Sequence, residues 1–294
     1  MPPYGLAADG RPPPSQPLAP GEDHERQEPH DGPARPVARC EERHEPRGQE
    51  QRPPPLPPAH GSRHRPPDGI AGLVGSGRTE TAEAIVGLRR PVGKIRVAGT
   101  ERTFKHPRAA MRHGVTYVSE DRKGRGLHVS LSSVANMTLP SLDAFSQFGG
   151  ARIDAVAERS VVTRWIHELA IRCARPGLPI SSLSGGNQQK FALARWLETR
   201  PNVLIIDEPT RGVDIGAKAE IYRIIAALAH EGLACIVISS ELPELIGLAH
   251  RVLVMRQGSV AGEVTREQLA EPGCEERIVR IASGLRAERQ ETHE

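Results

Sequence analysis

The sequence has few cysteines, no long apolar run and almost no net charge. Its four cysteines lie far apart and form neither a CxxC pair nor a metal-ligand cluster, which argues against a disulfide framework and suits a reducing cytosol. No apolar stretch approaches the about 20 residues that cross a bilayer, and residues 1–20 lack the apolar core of a signal peptide. With 39 basic and 36 acidic residues, the chain shows no general attraction to nucleic acid or anionic lipid. These absences predict a cytoplasmic protein.

Residues 1–67 differ in composition from the rest of the chain. They hold 18 of the 27 prolines and only four large aliphatic residues, Leu6, Leu18, Val37 and Leu56. Burying those four side chains would return roughly 6–12 kcal/mol. Ordering the backbone would cost on the order of 1–2 kcal/mol per residue, which is several times more. The composition therefore predicts that residues 1–67 are disordered.

From Asp68 onward, apolar strand patterns alternate with helical ones. The apolar runs predict strands at Ile70–Val74, Gly114–Glu120, Asn202–Thr210 and Ala234–Glu241. Helical spacing predicts a helix at Thr79–Leu88, a helical insertion at Ala151–Arg172, and a helix whose apolar face carries Ile221, Ile224, Ile225 and Leu228. The order strand, helix, strand predicts an α/β fold with a parallel sheet and right-handed crossovers. A closing hairpin is predicted at Arg251–Met255 and Ser259–Val264.

The stretch GLVGSGRTE, from Gly72 to Glu80, has the glycines of a phosphate-binding loop. Such a loop needs inward backbone N–H groups and a helix N-terminus behind them, and Gly72, Gly75, Ser76 and Gly77 meet that need. The pattern GxxxxGK[ST] is matched except that Arg78 stands at the lysine position, and the Thr79 hydroxyl would hold Mg²⁺. A planar guanidinium and a compact ammonium do not fit one phosphate nest alike. The alternative is an ordinary glycine turn between a strand and a helix.

Two further stretches favour phosphate chemistry. Asp207 and Glu208 follow the apolar run VLII, where phosphoryl-transfer enzymes place a metal carboxylate; the alternative is two solvated acids at the end of a strand. In SSLSGGNQQK, Ser184, Gly185 and Gly186 begin a predicted helix and form a second candidate anion site. Its alternative is a helix start with Ser184 as the N-cap.

Taken together and in this order, GLVGSGRT, YVSEDRKGRGL, LSGGNQQK, VLIIDEPTRGVD and ISSELPE resemble the nucleotide-binding domain of ABC transporters. The resemblance covers about Gly69 to the mid-280s. The exact sequences of these motifs are similar to those of the second, C-terminal cassette of bacterial monosaccharide importers of the ribose, galactose and xylose type. It implies a P-loop α/β fold with a mostly parallel sheet and a helical subdomain at about 125–195. The domain would span 68–294.

The resemblance also implies roles for individual residues. The phosphate loop, Gly72 to Thr79, would bind ATP, with Thr79 and Asp207 on Mg²⁺ and Glu208 as the catalytic base. Two cassettes of this family pair head to tail, so the signature turn from Ser184 to Gln188 would serve a nucleotide held by a partner. Asp214 matches a loop that crosses the interface between cassettes. Glu120 stands where most cassettes have a glutamine that senses Mg²⁺ and the permease, and Ser240 where most have a switch histidine.

The departures from the family pattern all fall on the chain's own ATP site. They are Arg78 for lysine, Glu120 for glutamine and Ser240 for histidine, whereas the signature turn is intact. Losing one positioned catalytic group typically costs on the order of 10²–10⁴ in rate. The sequence therefore predicts a weakened site that binds ATP better than it cleaves it. Ser240 has an alternative use as the N-cap of the helix that follows.

A larger departure lies upstream of the phosphate loop. Family cassettes carry two antiparallel strands and an adenine-stacking aromatic there, but this chain has no aromatic residue between Tyr4 and Phe104. RPPPLPPAHGSRHRPPDG is unsuited to any sheet. The hypothesis is that the start of the chain is not family sequence, for example through a truncated or frame-shifted gene whose first cassette is missing or encoded separately.

The resemblance implies an ATP-binding subunit that drives monosaccharide import. Its partners would be membrane permease subunits, a second cassette and, indirectly, a periplasmic sugar-binding protein, with no nucleic acid, and it would sit on the cytoplasmic face of the membrane. Two alternatives stay open. One is a soluble ABC-type ATPase without a permease, although no sustained heptads for coiled-coil arms are present. The other is a truncated, non-catalytic cassette.

Overall fold

The computed structural model describes residues 66–91, 93–147 and 152–285. Apart from Pro66 and Pro67, the segment predicted to be disordered lies outside the described residues. The strands are β1 (Asp68–Gly72), β2 (Ile95–Val97), β3 (Thr100–Arg102), β4 (Val115–Val118), β5 (Ser146–Gln147), β6 (Arg152–Ile153), β7 (Val203–Asp207), β8 (Ala234–Ile238), β9 (Arg251–Arg256) and β10 (Ser259–Thr265).

The α-helices are α1 (Arg78–Ile85), α2 (Pro107–Arg112), α3 (Ser133–Thr138), α4 (Ala155–Glu168), α5 (Gly185–Leu197), α6 (Ile215–His230), α7 (Leu242–Leu248), α8 (Arg266–Leu269) and α9 (Cys274–Ser283). A π-helical turn covers Arg122–Gly126, and 3₁₀ turns cover Leu139–Phe145 and Ile180–Ser182.

The main sheet has six strands in the order β10, β9, β1, β8, β7, β4. Neighbouring strands from β9 to β4 are parallel, and β10 runs antiparallel to β9 as the second arm of a hairpin. The predicted α/β fold with a mostly parallel sheet is thus confirmed, as is the closing hairpin. Because the carboxyl ends of parallel strands meet at one edge, the loops after β1, β7 and β8 lie side by side.

The core lies on both faces of this sheet. Successive side chains of a strand point to opposite faces, so Leu204 and Ile206 of β7 belong to one apolar cluster and Ile205 to another. The first cluster is completed by α5 and α6, where Ile221 and Ile225 are fully buried as their spacing predicts. The second contains Ala82 and other residues of the β1–α1 side. Helices on both faces explain why β7 is apolar throughout.

Several predicted boundaries shift by a few residues. The first strand ends at Gly72 rather than Val74, and Val74 is 97% exposed in the phosphate loop. The predicted helix at 151–172 is α4, which begins after Asp154 because that side chain accepts hydrogen bonds from the backbone N–H groups of Val156 and Ala157. The region predicted as a helical subdomain holds α3, α4 and α5, and its standing as a subdomain stays a prediction.

Candidate functional site

The phosphate loop connects β1, which pairs with β8 and β9, to the N-terminus of α1. Gly72 has a φ of 155°, and a Cβ there would lie 2.6 Å from the Met255 carbonyl oxygen, so the turn accepts no larger residue. The Ser76 hydroxyl is buried and has no hydrogen-bond partner among the described residues. Gly77 is the N-cap of α1. The loop therefore has the tight backbone and the unused donor that a phosphate cradle requires.

Arg78 turns its guanidinium toward the end of the sheet. Its Nη1 donates to the Ser239 carbonyl oxygen at 2.5 Å, and its Nη2 lies 3.7 Å from Glu208 Oε1. Both side chains are nearly buried, at 11% and 10% exposed. At low exposure such a pair is screened little by water. Arg78, at the lysine position of the loop, is thus paired with Glu208 of the same chain.

Asp207 ends β7 as a fully buried carboxylate. Burial raises its pKa to about 6, and the hydroxyls of Tyr117 and Thr79 oppose that rise. The Tyr117 hydroxyl donates to Oδ2 at 2.8 Å, whereas Oδ1 is buried without a hydrogen-bond partner among the described residues. A buried carboxylate oxygen beside a threonine hydroxyl is the donor set that Mg²⁺ prefers. The residues present fit the metal site predicted from Thr79 and Asp207.

Glu208 follows in a left-handed conformation, with a φ of 48°. This conformation is uncommon for a residue with a side chain, and it is fixed here because the Glu208 N–H donates to the Ile238 carbonyl oxygen at 2.8 Å. The Ser240 hydroxyl donates to Glu208 Oε2 at 3.1 Å. Glu208 therefore lies between Arg78 and Ser240, two of the three positions at which the sequence departs from the family pattern.

The interpretation of Ser240 as a helix N-cap is wrong. Glu241 is the N-cap residue of α7, and the Ser240 side chain contacts Glu208 instead. The helix starts one residue later than the pattern indicated because the loop after β8 is held by Ser239. The Ser239 hydroxyl accepts a hydrogen bond from the Glu241 N–H at 3.0 Å and donates one to Glu244.

Glu244 is a residue of this region that the sequence reasoning did not place in the site. It is buried, and its two carboxylate oxygens accept hydrogen bonds from the hydroxyls of Ser239 and Thr210. Burial raises its pKa to about 7. Glu244 thereby joins the loop after β7 to the loop after β8, which carry Glu208 and Ser240. Its place in the first turn of a helix after a proline gave no sign of this contact.

Glu120 lies after β4 and forms an ion pair with Arg211, 2.6 Å from Nη1 to Oε2. Arg211 belongs to the loop between β7 and α6. Both side chains are exposed, so the pair adds little stability. The pair does place a positive charge beside Glu120, which is the third position at which the sequence departs from the family pattern.

The signature turn precedes α5, with Ser184 as the N-cap residue. Its hydroxyl makes no capping bond to the helix backbone; it accepts a hydrogen bond from the Asn187 side-chain amide at 2.9 Å. Gly186 packs directly against α6, because a Cβ there would collide with the Ala217 side chain. Gln188 is buried and donates to the Leu183 carbonyl oxygen at 2.8 Å.

Asp214 is the N-cap of α6 and accepts a hydrogen bond from the Ala217 N–H at 3.0 Å. Ser184, Gly186, Asn187 and Asp214 line one pocket of about 230 Å³. The structure thus brings the predicted site residues together in two groups. One surrounds Asp207 and Glu208 at the carboxyl edge of the sheet, and the other surrounds the start of α5.

Comparisons with known proteins agree with this arrangement. The ABC transporter family model matches residues 68–211. A ribose import ATP-binding protein of Rhizobium etli is 44% identical over 226 residues, 76% of this chain and 44% of that protein. The chain belongs to the ABC transporter ATP-binding cassettes. A xylose import ATP-binding protein of Burkholderia ambifaria is 50% identical to the cassette over 205 residues, 69% of this chain and 39% of that protein. The cassette spans less than half the length of either relative.

Solved structures share its fold. A nucleotide-free ATP-binding cassette from an ABC transporter superposes with a TM-score of 0.61 at 18% identity, covering 74% of this chain and 87% of that one. The dimeric post-hydrolysis state of the ATP-binding cassette MJ0796, bound to ADP and Pi, gives 0.59 at 19%, covering 68% and 85%. Within the described part of the cassette, no helix is both long and apolar enough to cross a membrane.

Proposed function

We propose that the chain is the ATP-binding subunit of an ABC importer for a monosaccharide and couples ATP binding and hydrolysis to sugar uptake. The observation that carries the proposal is the cluster at the carboxyl edge of the sheet. There Asp207 Oδ1, which has no hydrogen-bond partner in the described part of the chain, lies beside the phosphate loop and next to Glu208. The ribose and xylose import functions of the two relatives supply the substrate class.

In this function, the backbone from Gly72 through Gly75, Ser76 and Gly77 to Thr79 binds the triphosphate. Thr79 and Asp207 hold Mg²⁺, which neutralises charge on the phosphates when bound. Glu208 orients the attacking water and accepts its proton. Ser240 and Glu120 take the switch and sensor positions beside it. The alignment of these side chains around one edge of the sheet supports the assignment.

The chain's own site is proposed to be weak. Arg78 cannot reach a phosphate while its guanidinium contacts both Ser239 and Glu208. Glu208 cannot act freely as a base while it contacts Arg78 and Ser240. Glu120 contacts Arg211 as well, in a pair that is exposed. Nucleotide must displace these internal partners, so ATP binds without fast hydrolysis.

The signature turn is proposed to serve a second cassette. Ser184, Gly185, Gly186 and Gln188 would contact the nucleotide held there, and Asp214 would lie at the interface between the two cassettes. The pocket shared by Ser184 and Asp214 supports this arrangement. The remaining partners are membrane permease subunits and, through them, a periplasmic sugar-binding protein; no nucleic acid is involved. The subunit is peripheral on the cytoplasmic face of the membrane.

Turnover measurements test the proposal. The purified full chain is assayed for ATP binding and phosphate release, alone and mixed with the part of the Rhizobium etli relative outside the alignment, which in this function holds the first cassette. We expect binding with little turnover alone and faster turnover in the mixture. Ser184→Trp should abolish the gain, because the indole blocks the turn. A mixture that hydrolyses ATP equally fast with Ser184→Trp would contradict the proposal.

A further inference from the structure

Asn187, in the first turn of α5, makes two side-chain hydrogen bonds of 2.9 Å. Its Oδ1 accepts from the backbone N–H of Arg172, in the loop after α4, and its Nδ2 lies against the Ser184 Oγ. Asn187 therefore ties the signature serine to the segment that follows α4. Neither the phosphate loop nor the sheet edge takes part in this contact.

These two partners exclude Asn187 as an acceptor for the Ser184 hydroxyl hydrogen. A backbone N–H can only donate, so the amide oxygen of Asn187 must face Arg172 and its NH₂ must face Ser184. The NH₂ group can only donate, so the Ser184 oxygen accepts in that contact. The one hydroxyl hydrogen of Ser184 is left to be donated elsewhere.

The hydroxyl has no competing use within the helix. Ser184 is the N-cap residue, but its side chain makes no bond to the backbone of α5. Ser184 is exposed and lines the pocket of about 230 Å³ that also contains Asp214. A serine held as a donor at a helix N-terminus is suited to an anionic oxygen.

We propose that Asn187 is a positioning residue that holds the Ser184 hydroxyl as a hydrogen-bond donor for the phosphate of a nucleotide bound by a second cassette. The proposal rests on the function proposed above for the signature turn. It adds a reason for an amide at this position, because an amide is a donor toward Ser184 and an acceptor toward Arg172 at the same time.

An isosteric change reverses the arrangement. In Asn187→Asp, one carboxylate oxygen still accepts a hydrogen bond from the Arg172 N–H. The other oxygen faces Ser184 and accepts a hydrogen bond from its hydroxyl. The serine then presents its lone pairs, and a negative charge lies beside it. Asn187→Ala leaves the hydroxyl free to rotate without adding charge.

The test is a double-mutant cycle on association of the full chain with the part of the Rhizobium etli relative outside the alignment, measured by sedimentation velocity with a non-hydrolysable ATP analogue, which neither site can cleave. A hydrogen bond to a charged group is worth roughly tenfold or more in affinity. We expect Asn187→Asp to weaken association about tenfold or more and Asn187→Ala to weaken it less. Asn187→Ala should cost nothing further once Ser184→Ala is present, since Asn187 acts only through that hydroxyl. Asn202→Asp, an exposed change of the same chemistry, is the matched control and should have no effect.

The outcomes separate the two proposals. Loss of association in the parent protein counts against the proposed function and this inference together. If Ser184→Ala leaves association intact, the proposed contact of the signature turn with the partner's nucleotide is refuted. If Asn187→Ala weakens association equally in the parent and in the Ser184→Ala background, only the positioning role of Asn187 is overturned. As a measurement without nucleotide, the Asn187 side-chain NH₂ signals in ¹⁵N spectra should move in Ser184→Ala; unmoved signals would also overturn it.

Discussion

Glu244 shows how one buried carboxylate can hold two loops of the candidate site together and lower stability at the same time. It is 3% exposed, and its hydrogen bonds from Ser239 and Thr210 join two loops at the edge of the sheet. Burial opposes its ionised form and raises its pKa from 4.5 to about 7, with the nearby charges of Glu241 and Glu208 adding to the rise. Ionising Glu244 in the folded protein therefore costs free energy that the unfolded chain does not bear.

We predict that Glu244→Gln stabilises the protein at pH 8 but not near pH 4. Between the unfolded and folded pKa values, 4.5 and about 7, the folded state holds one more proton, so the stability of the parent falls as pH rises through this window. Since one pKa unit corresponds to about 1.4 kcal/mol, the difference between 4.5 and about 7 limits the gain at pH 8 to about 3.5 kcal/mol. Urea unfolding of both proteins across pH measures it.

Glu168→Gln, at an exposed position of α4, is the control for that series and should change stability little. A Glu244→Gln protein that gains nothing at pH 8, or gains as much near pH 4, would show that Glu244 is not held with a raised pKa.

The side chains around Asp207 differ in how far the sequence could reveal them. Asp207 and Glu208 follow an apolar run, and the chemistry of that pattern indicated a site before any contact was known. The contacts of Glu208 with Arg78 and Ser240 join residues 130 and 32 positions apart, so no local pattern specifies them. Glu244 stayed hidden because a glutamate in the first turn of a helix is ordinarily a solvated residue.

Gly186 illustrates a residue whose site role and packing role coincide in one helix. It was predicted to contact nucleotide through its backbone, and it also lies where α5 crosses α6, with Ala217 directly opposite. A glycine at such a crossing lets two helix backbones approach closely. The sequence pattern cannot separate the two roles, since both require the missing side chain.

We predict that Gly186→Ala destabilises the protein by about 1–3 kcal/mol, because the added methyl group forces α5 and α6 apart. Thermal unfolding without nucleotide isolates this packing effect from any effect on ATP. The matched control is Gly247→Ala in α7, where a Cβ meets no other atom within 4 Å. There alanine should be neutral or stabilise by up to about 1 kcal/mol. Equal melting temperatures for Gly186→Ala and the parent would refute the packing role.

The long apolar elements were predicted well and the short polar ones were not. The cores of β7, β8 and α6 follow from hydrophobic runs or helical spacing, and errors were confined to their ends. The hairpin of β2 and β3 was missed because Thr100–Arg102 is exposed throughout and carries no alternating apolar pattern. The first strand was placed too late because Leu73 and Val74 are apolar yet belong to the phosphate loop.

In the chain as a whole, the charged groups at the sheet edge are paired with one another, whereas Ser184 of the signature turn is exposed. At the sheet edge, Arg78 balances the charge of the nearly buried Glu208, which explains how this carboxylate is tolerated at 10% exposure. In the proposed function, the same pairing withholds both groups from a nucleotide. If this internal neutralisation limits turnover, restoring the family residues should release it.

We predict that the double variant Arg78→Lys, Ser240→His raises ATP turnover by the full chain at least about tenfold in the presence of its partner cassette, because a positioned group typically contributes on the order of 10²–10⁴. Lysine presents a compact charge that fits the phosphate nest, and its single ammonium cannot keep the forked contacts to Ser239 and Glu208. Phosphate release measures the gain. Adding Glu208→Gln should remove that gain and leave turnover at the partner's site, which locates the new activity in this chain. Unchanged turnover in the double variant would mean that the contacts of Arg78 and Ser240 with Glu208 do not limit hydrolysis.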